Sequence, residues 1–167
     1  MYSIQESFYC QGNKLISLKG CPDIIRWSFN CNNNMLESLE FGPSIVGAKY
    51  ECENNKLKNL KGAPDRLKSH FYCRRNNLIT LEGGPNIING NYNCANNNLI
   101  NLIGAPKVVY GYFDCSYNHL KSLEGIPKFI GGDFYFVEKD NYVLHYSEKE
   151  IRSMCKIEGR VLFDDRF

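Results

Sequence analysis

One period governs this chain. Cysteine returns every 21 residues at Cys10, Cys31, Cys52, Cys73, Cys94 and Cys115, and the next place in the series holds Phe136. Three residues after each cysteine stands an asparagine: Asn13, Asn34, Asn55, Asn76, Asn97 and Asn118. Two leucine columns follow, one from Leu15 to Leu120 and one from Leu18 to Leu123, then a proline column from Pro22 to Pro127. An aliphatic column (Ile25, Val46, Leu67, Ile88, Val109, Ile130) and an aromatic column (Phe8, Phe29, Tyr50, Phe71, Tyr92, Phe113, Phe134) complete the unit. Glycine precedes the proline by two in five repeats, and Phe41 with Gly42 breaks that rule once. A unit this short cannot enclose a core of its own. Stacked on its neighbours it can, so the period predicts a solenoid.

The chemistry of each column predicts its place. Aromatic-x-Cys alternates with period two, which puts both side chains on one face of a short strand. Successive strands would lie parallel, roughly 4.8 Å apart, stacking aromatic, Cys, Leu and aliphatic columns into one core. Each asparagine would bond backbone groups where the chain leaves its strand. Gly-x-Pro would make the return turn on an irregular convex side, where proline costs no ladder bond. The expected layout is a solenoid over residues 1–137 of about six repeats, a slight N-terminal cap at 1–7, and a C-terminal cap at 138–167. In that cap Ser147 and Glu150 read as a capping box. Ile151, Met154 and Cys155 read as one face of a short helix, and the segment from Arg160 to Phe163 as an extended closing piece.

The unit, aromatic-x-Cys-x-x-Asn-x-Leu-x-x-Leu-x-Gly-x-Pro-x-x-aliphatic, resembles the leucine-rich repeat family, with the aromatic and Cys columns in place of two strand leucines. Its Leu-x-Gly-x-Pro segment is most similar to the short repeats of bacterial effector and phage-encoded proteins. One departure is that the aliphatic residue lies four before the aromatic instead of three. The resemblance covers about residues 8–136 and implies the fold; a family that binds many unrelated partners implies no particular one. Effector relatives often carry a ubiquitin-ligase domain, for which the residues after the repeats are too few.

Chemistry finds little to work with. Lys+Arg 20 against Asp+Glu 18 leaves a net charge of +2, without the basic excess of a nucleic-acid neutraliser. No apolar run reaches the length of a membrane span, and the first residues lack the pattern of a secretory signal, so the expected location is cytoplasmic, host cytoplasm if the protein is viral. In a reducing compartment the eight cysteines would stay free, and no close Cys-x-x-Cys pair suggests a metal. His70, His119 and His145 share no partner that would make a base, and no phosphate loop or nucleophile elbow occurs. The expectation is no enzyme, no cofactor, and a monomer or weak oligomer.

The remaining candidate is the outward face of the strands, expected to be concave. Residues one before, one after and three after each aromatic point away from the core. They vary from repeat to repeat while the core columns hold. Residues His70, Tyr72, Arg74, Asn91, Asn93, Tyr112, Asp114 and Tyr135 form the predicted partner-binding set, being rich in the types that anchor protein interfaces. Acidic Glu51, Glu53, Asp114 and Asp133 on the same face disfavour a polyphosphate. The expected partner is a protein, bound by an inhibitor or adaptor that acts by occupancy; the alternative is a small ligand or nucleotide stacked on the tyrosines. Ile79, Ile100 and Ile103 on the convex side form a second candidate surface.

Overall fold

The computed structural model describes residues 2–137 and 146–163 and contains a parallel β-solenoid of about six turns. Each turn contributes two strands of two residues. The first ladder runs unbroken through Phe8–Tyr9, Phe29–Asn30, Tyr50–Glu51, Phe71–Tyr72, Tyr92–Asn93, Phe113–Asp114, Phe134–Tyr135 and Val161–Leu162. Its register is the sequence period itself: Tyr92 pairs with Phe71 on one side and Phe113 on the other.

Inside, the columns stack as the period dictates. Ring centroids in the aromatic column follow one another at 4.9–6.1 Å from Phe8 to Phe134. Cys31, Cys52, Cys73, Cys94 and Cys115 are sealed, and each thiol lies 3.4–3.5 Å from a backbone carbonyl of the next coil. A weak donor facing a carbonyl explains a cysteine here where a purely apolar side chain would offer nothing.

The asparagines hold adjacent coils together. Asn76 Nδ2 donates to the Cys52 carbonyl of the preceding coil and to the Cys73 carbonyl of its own, both at 3.0 Å. Its Oδ1 accepts the Leu57 amide at 3.1 Å. Asn34, Asn55, Asn97 and Asn118 repeat the pattern. The contacts run from amide to backbone, so each asparagine satisfies peptide groups that no strand partner reaches.

Two substitutions within columns have visible compensations or costs. Glycine stands eight residues before each tyrosine of the aromatic column, Gly42 before Tyr50 and Gly84 before Tyr92, where the phenylalanine coils carry Cys21, Ala63, Ala105 and Ile126. A Cβ on Gly42 would sit 3.2 Å from the Tyr50 hydroxyl, so the missing side chain leaves the room that the extra oxygen fills. Phe41 occupies the column otherwise held by Gly20, Gly62, Gly83, Gly104 and Gly125, and adopts the same left-handed conformation, φ 64°. A Cβ disfavours that conformation, so Phe41 is strained in its turn.

Three features differ from the sequence expectation. The side expected to be irregular carries a second ladder, formed by the residue pair that ends in the aliphatic column. It runs through Ser3–Ile4, Ile24–Ile25 and Ile45–Val46, breaks, and resumes from Arg66–Leu67 through Ile87–Ile88, Val108–Val109 and Phe129–Ile130 to Lys156–Ile157. The N-terminal segment expected as a cap therefore supplies the first of these strands. The last coil is also longer: Ile157 pairs with Ile130 and Val161 with Phe134, a step of 27 residues that accommodates the helix Glu148–Met154. That helix starts at the expected capping box, with Ser147 Oγ accepting the Glu150 amide and Glu150 Oε2 accepting the Ser147 amide at 2.8 Å. Ile151 and Cys155 face the core, but Met154 is exposed, a correction to the expected three-residue face. Arg152 ties the helix to the last coil through the carbonyls of Ile157 and Gly159.

Candidate functional site

The first ladder presents its outward side as three rows across the coils, one for each offset from the buried aromatic. Most polar side chains in these rows have a task within the fold. In the row before the aromatic, a side chain of one coil accepts the backbone amide at the same place in the next. His70 Nδ1 accepts the Asn91 amide at 2.9 Å, and Asn91 Oδ1 accepts the Tyr112 amide at 3.1 Å. His70 is half-buried there, and burial, assisted by the nearby Lys49 charge, lowers its pKa, so near pH 7 it is a neutral acceptor with the proton on Nε2.

In the row after the aromatic, Asn30, Asn93 and Asp114 turn back on their own strands and accept the amide two residues on, at 2.9–3.0 Å. Asn93 Nδ2 also donates to Asp114 Oδ2 at 3.0 Å. Burial raises the Asp114 carboxyl above its usual range, while the Ser116 amide, the Asn93 amide group and the Arg74 charge oppose that rise. Asn93, Ala95 and Ser116 are buried, so two residues of the third row and one of the predicted binding set are closed to a partner. No single repeat reveals this burial.

The tyrosines are what this face presents. Tyr72 stacks on His70 at 5.6 Å, with ring planes 5° apart. Tyr112 meets Tyr135 edge to face at 5.7 Å. The Tyr112 hydroxyl reaches Asn93 and Tyr72, and burial, its main influence, pushes its pKa up to about 12. His70, Tyr72, Tyr112 and Tyr135 thus form one aromatic tract over the middle and later coils. Arg74 beside it is ion-paired with Glu53, and Asp133 at its far end with Arg160. Of the predicted set, Arg74 is exposed, Tyr72, Tyr112, Tyr135, His70, Asn91 and Asp114 are half-buried, and Asn93 is buried; His70, Asn91, Asn93 and Asp114 also accept backbone amides within the fold.

Elsewhere, Ile79, Ile100 and Ile103 are exposed as expected. Sequence reading missed the outer side of the second ladder, where Ile87, Val108 and Phe129 lie in one row beside the exposed ring of Tyr110. The available signal was the apolar residue just before the aliphatic column in five of the six repeats, Arg66 being the exception. An open groove of about 660 Å³ on the turn side is lined by Gly83, Gly84, Gly104 and Ala105, with carboxylates from Asp65, Glu82 and Glu124. It has no aromatic ring and suits a nucleotide poorly. Among the described residues no cluster of three or more His, Cys, Asp or Glu is placed to hold a metal, and no helix is long and apolar enough to cross a membrane. His119 is exposed and apart from His70, and His145 lies outside the described residues.

Fold and face together define the chain as a parallel β-solenoid with a variable lateral surface. Comparison with protein-family models, with curated proteins and with solved structures finds no match.

Proposed function

We propose that this solenoid is a binding module that holds a protein partner on the outward face of its first ladder and acts by occupancy, as an inhibitor or adaptor, without chemistry of its own. The observation that carries this reading is the aromatic tract of Tyr72, Tyr112 and Tyr135. Three large rings with polar tips stand on a face whose other polar groups are mostly satisfied by the fold. Rigid amphipathic rings on a pre-organised scaffold contribute contact area at small entropic cost. The paired charges Arg74–Glu53 and Asp133–Arg160 favour a mixed polar rim over a polyanion. The free thiols suit a reducing compartment, which supports a cytoplasmic setting. The likeness of the repeats to those of phage and bacterial effector proteins supports a host protein as the target.

The test pairs capture with titration. Immobilised protein should retain one stoichiometric partner, and the double variant Tyr72→Ala, Tyr112→Ala should bind it at least about 2 kcal/mol more weakly. Both rings are half-buried and packed, so the double variant should also lose about 1–2 kcal/mol of stability while remaining folded. A folded double variant that binds with full affinity would move the site to another surface.

A further inference from the structure

The residue pair Asn89–Gly90 turns the corner between the second-ladder strand Ile87–Ile88 and the first-ladder strand Tyr92–Asn93. No other asparagine in the chain is followed by glycine. The asparagines of the buried column use their amide groups on backbone contacts. Asn89 differs: its side chain is exposed and makes no hydrogen bond among the described residues, while its own amide donates to the Leu67 carbonyl at 3.1 Å.

Gly90 is the second half of the feature. It stands in the column of Trp27, Ala48, Ser69, Gly111 and Gly132, where the Ala48, Gly111 and Gly132 amides each donate to the coil before at 2.9–3.0 Å. The Gly90 amide makes no such bond, nor any other among the described residues. Packing also excludes a side chain here. A Cβ on Gly90 would sit 2.6 Å from His70 Nδ1 and 2.8 Å from the Ser69 carbonyl carbon. The fold thus demands, beside an exposed asparagine, the residue that has nothing to shield its nitrogen.

We propose that Asn89 is a site of spontaneous covalent modification, deamidation through a succinimide to isoaspartate, and that this product loosens the lateral row of His70, Asn91 and Tyr112. The Gly90 nitrogen gives its proton to solvent and bonds to the Asn89 side-chain carbonyl carbon, from which ammonia leaves. Proximity makes the closure intramolecular, and no oxidant or reductant takes part. Water then opens the ring. Attack at the side-chain carbonyl gives aspartate; attack at the main-chain carbonyl gives isoaspartate, whose chain runs through Cβ and Cγ and is one atom longer between the two ladders. The contacts around it have no slack. The Gly90 carbonyl accepts the Gly111 amide at 2.9 Å, the Asn91 amide donates to His70 Nδ1 at 2.9 Å, and Asn91 Oδ1 accepts the Tyr112 amide at 3.1 Å. Where the face holds a partner, its grip weakens as the protein ages. That consequence rests on the proposed function, whereas the modification is read without any partner.

The test ages the purified protein at body temperature in neutral buffer, beside a synthetic peptide of residues 86–93 as the unprotected reference. Peptide mapping by mass spectrometry, with enzymatic methylation of isoaspartate, should find conversion at Asn89 within a few-fold of the peptide's rate and ahead of the other asparagines of the coils. Asn89→Gln should keep its mass, because closure onto the longer side chain is slow. Hydrogen exchange at the Asn91 and Tyr112 amides should be faster in the aged protein and unchanged in Asn89→Asp, which carries the new charge without the extra chain atom. An Asn89 that keeps its amide long after the peptide has converted overturns the site. Aged chains whose Asn91 and Tyr112 amides exchange as before overturn the loosening, as do Asn89→Asp chains that exchange as fast as the aged ones.

Discussion

The inner and outer sides of the same strand answer to different rules. On the inner side, Phe71 and Cys73 stand directly between their counterparts in adjacent coils, and the residue type hardly changes along the stack. On the outer side, Tyr72 lies between Glu51 and Asn93, and no two adjacent coils share a residue there. A buried column must fit its own copy roughly 4.8 Å away, so identical apolar neighbours are a stable solution at every step. An outward column meets water on one side and is free to differ. The difference shows that the fold is written in the repetition, and that individuality is confined to the face.

Alkali should break the inner side first. Burial raises the Cys31, Cys52, Cys73, Cys94 and Cys115 thiols well above their ordinary value near 9. The folded chain keeps these protons while the unfolded chain releases them from about pH 9. Their contribution is thus fully present below pH 9 and lost as the pH climbs toward the folded values. At pH 10 each thiol costs about 1.4 kcal/mol, or about 7 kcal/mol for the five together. Melting temperature should be flat from pH 7 to 8.5 and fall steeply beyond 9. A flat profile to pH 10 would show that the column is not sealed.

The comparison sharpens with amide groups on the two sides. Asn76→Ala should strand the carbonyls of Cys52 and Cys73 and the amide of Leu57 in the interior, at a cost of about 4 kcal/mol. Asn91→Ala, on the outer side, releases only the Tyr112 amide, and about 1 kcal/mol should go with it. Denaturant unfolding of both variants gives the ratio; equal losses would mean the outer contacts are as deeply protected as the inner ones.

The smallest effect should be a gain. Among the described residues the buried Tyr50 hydroxyl has no hydrogen-bond partner. Tyr50→Phe should therefore raise stability by about 1 kcal/mol, partly offset by the small void beside Gly42. A loss in thermal melting would reveal a partner for that oxygen.

Much of this molecule could be read before folding. The period placed the aromatic, Cys and Leu columns in the core, and assigned the asparagines their backbone contacts. Ser147 and Glu150 announced the start of the only helix among the described residues. These features are legible because each depends on one residue and its copies 21 positions away. The candidate site was legible in part. Tyr72, Tyr112 and Tyr135 could be set on the outer face by alternation alone, whereas the scaffolding tasks of His70 and Asn91 required the next coil to be in place.

By itself, then, the sequence determined the solenoid, its step, its core and which side of each strand faces outward, because repetition turns local pattern into global order. Tertiary structure alone decided the rest. The second ladder keeps the same step of 21, but its break, the burial of Asn93, Ala95 and Ser116, and the tyrosine tract arise where unlike side chains meet across coils. Those meetings recur with no period.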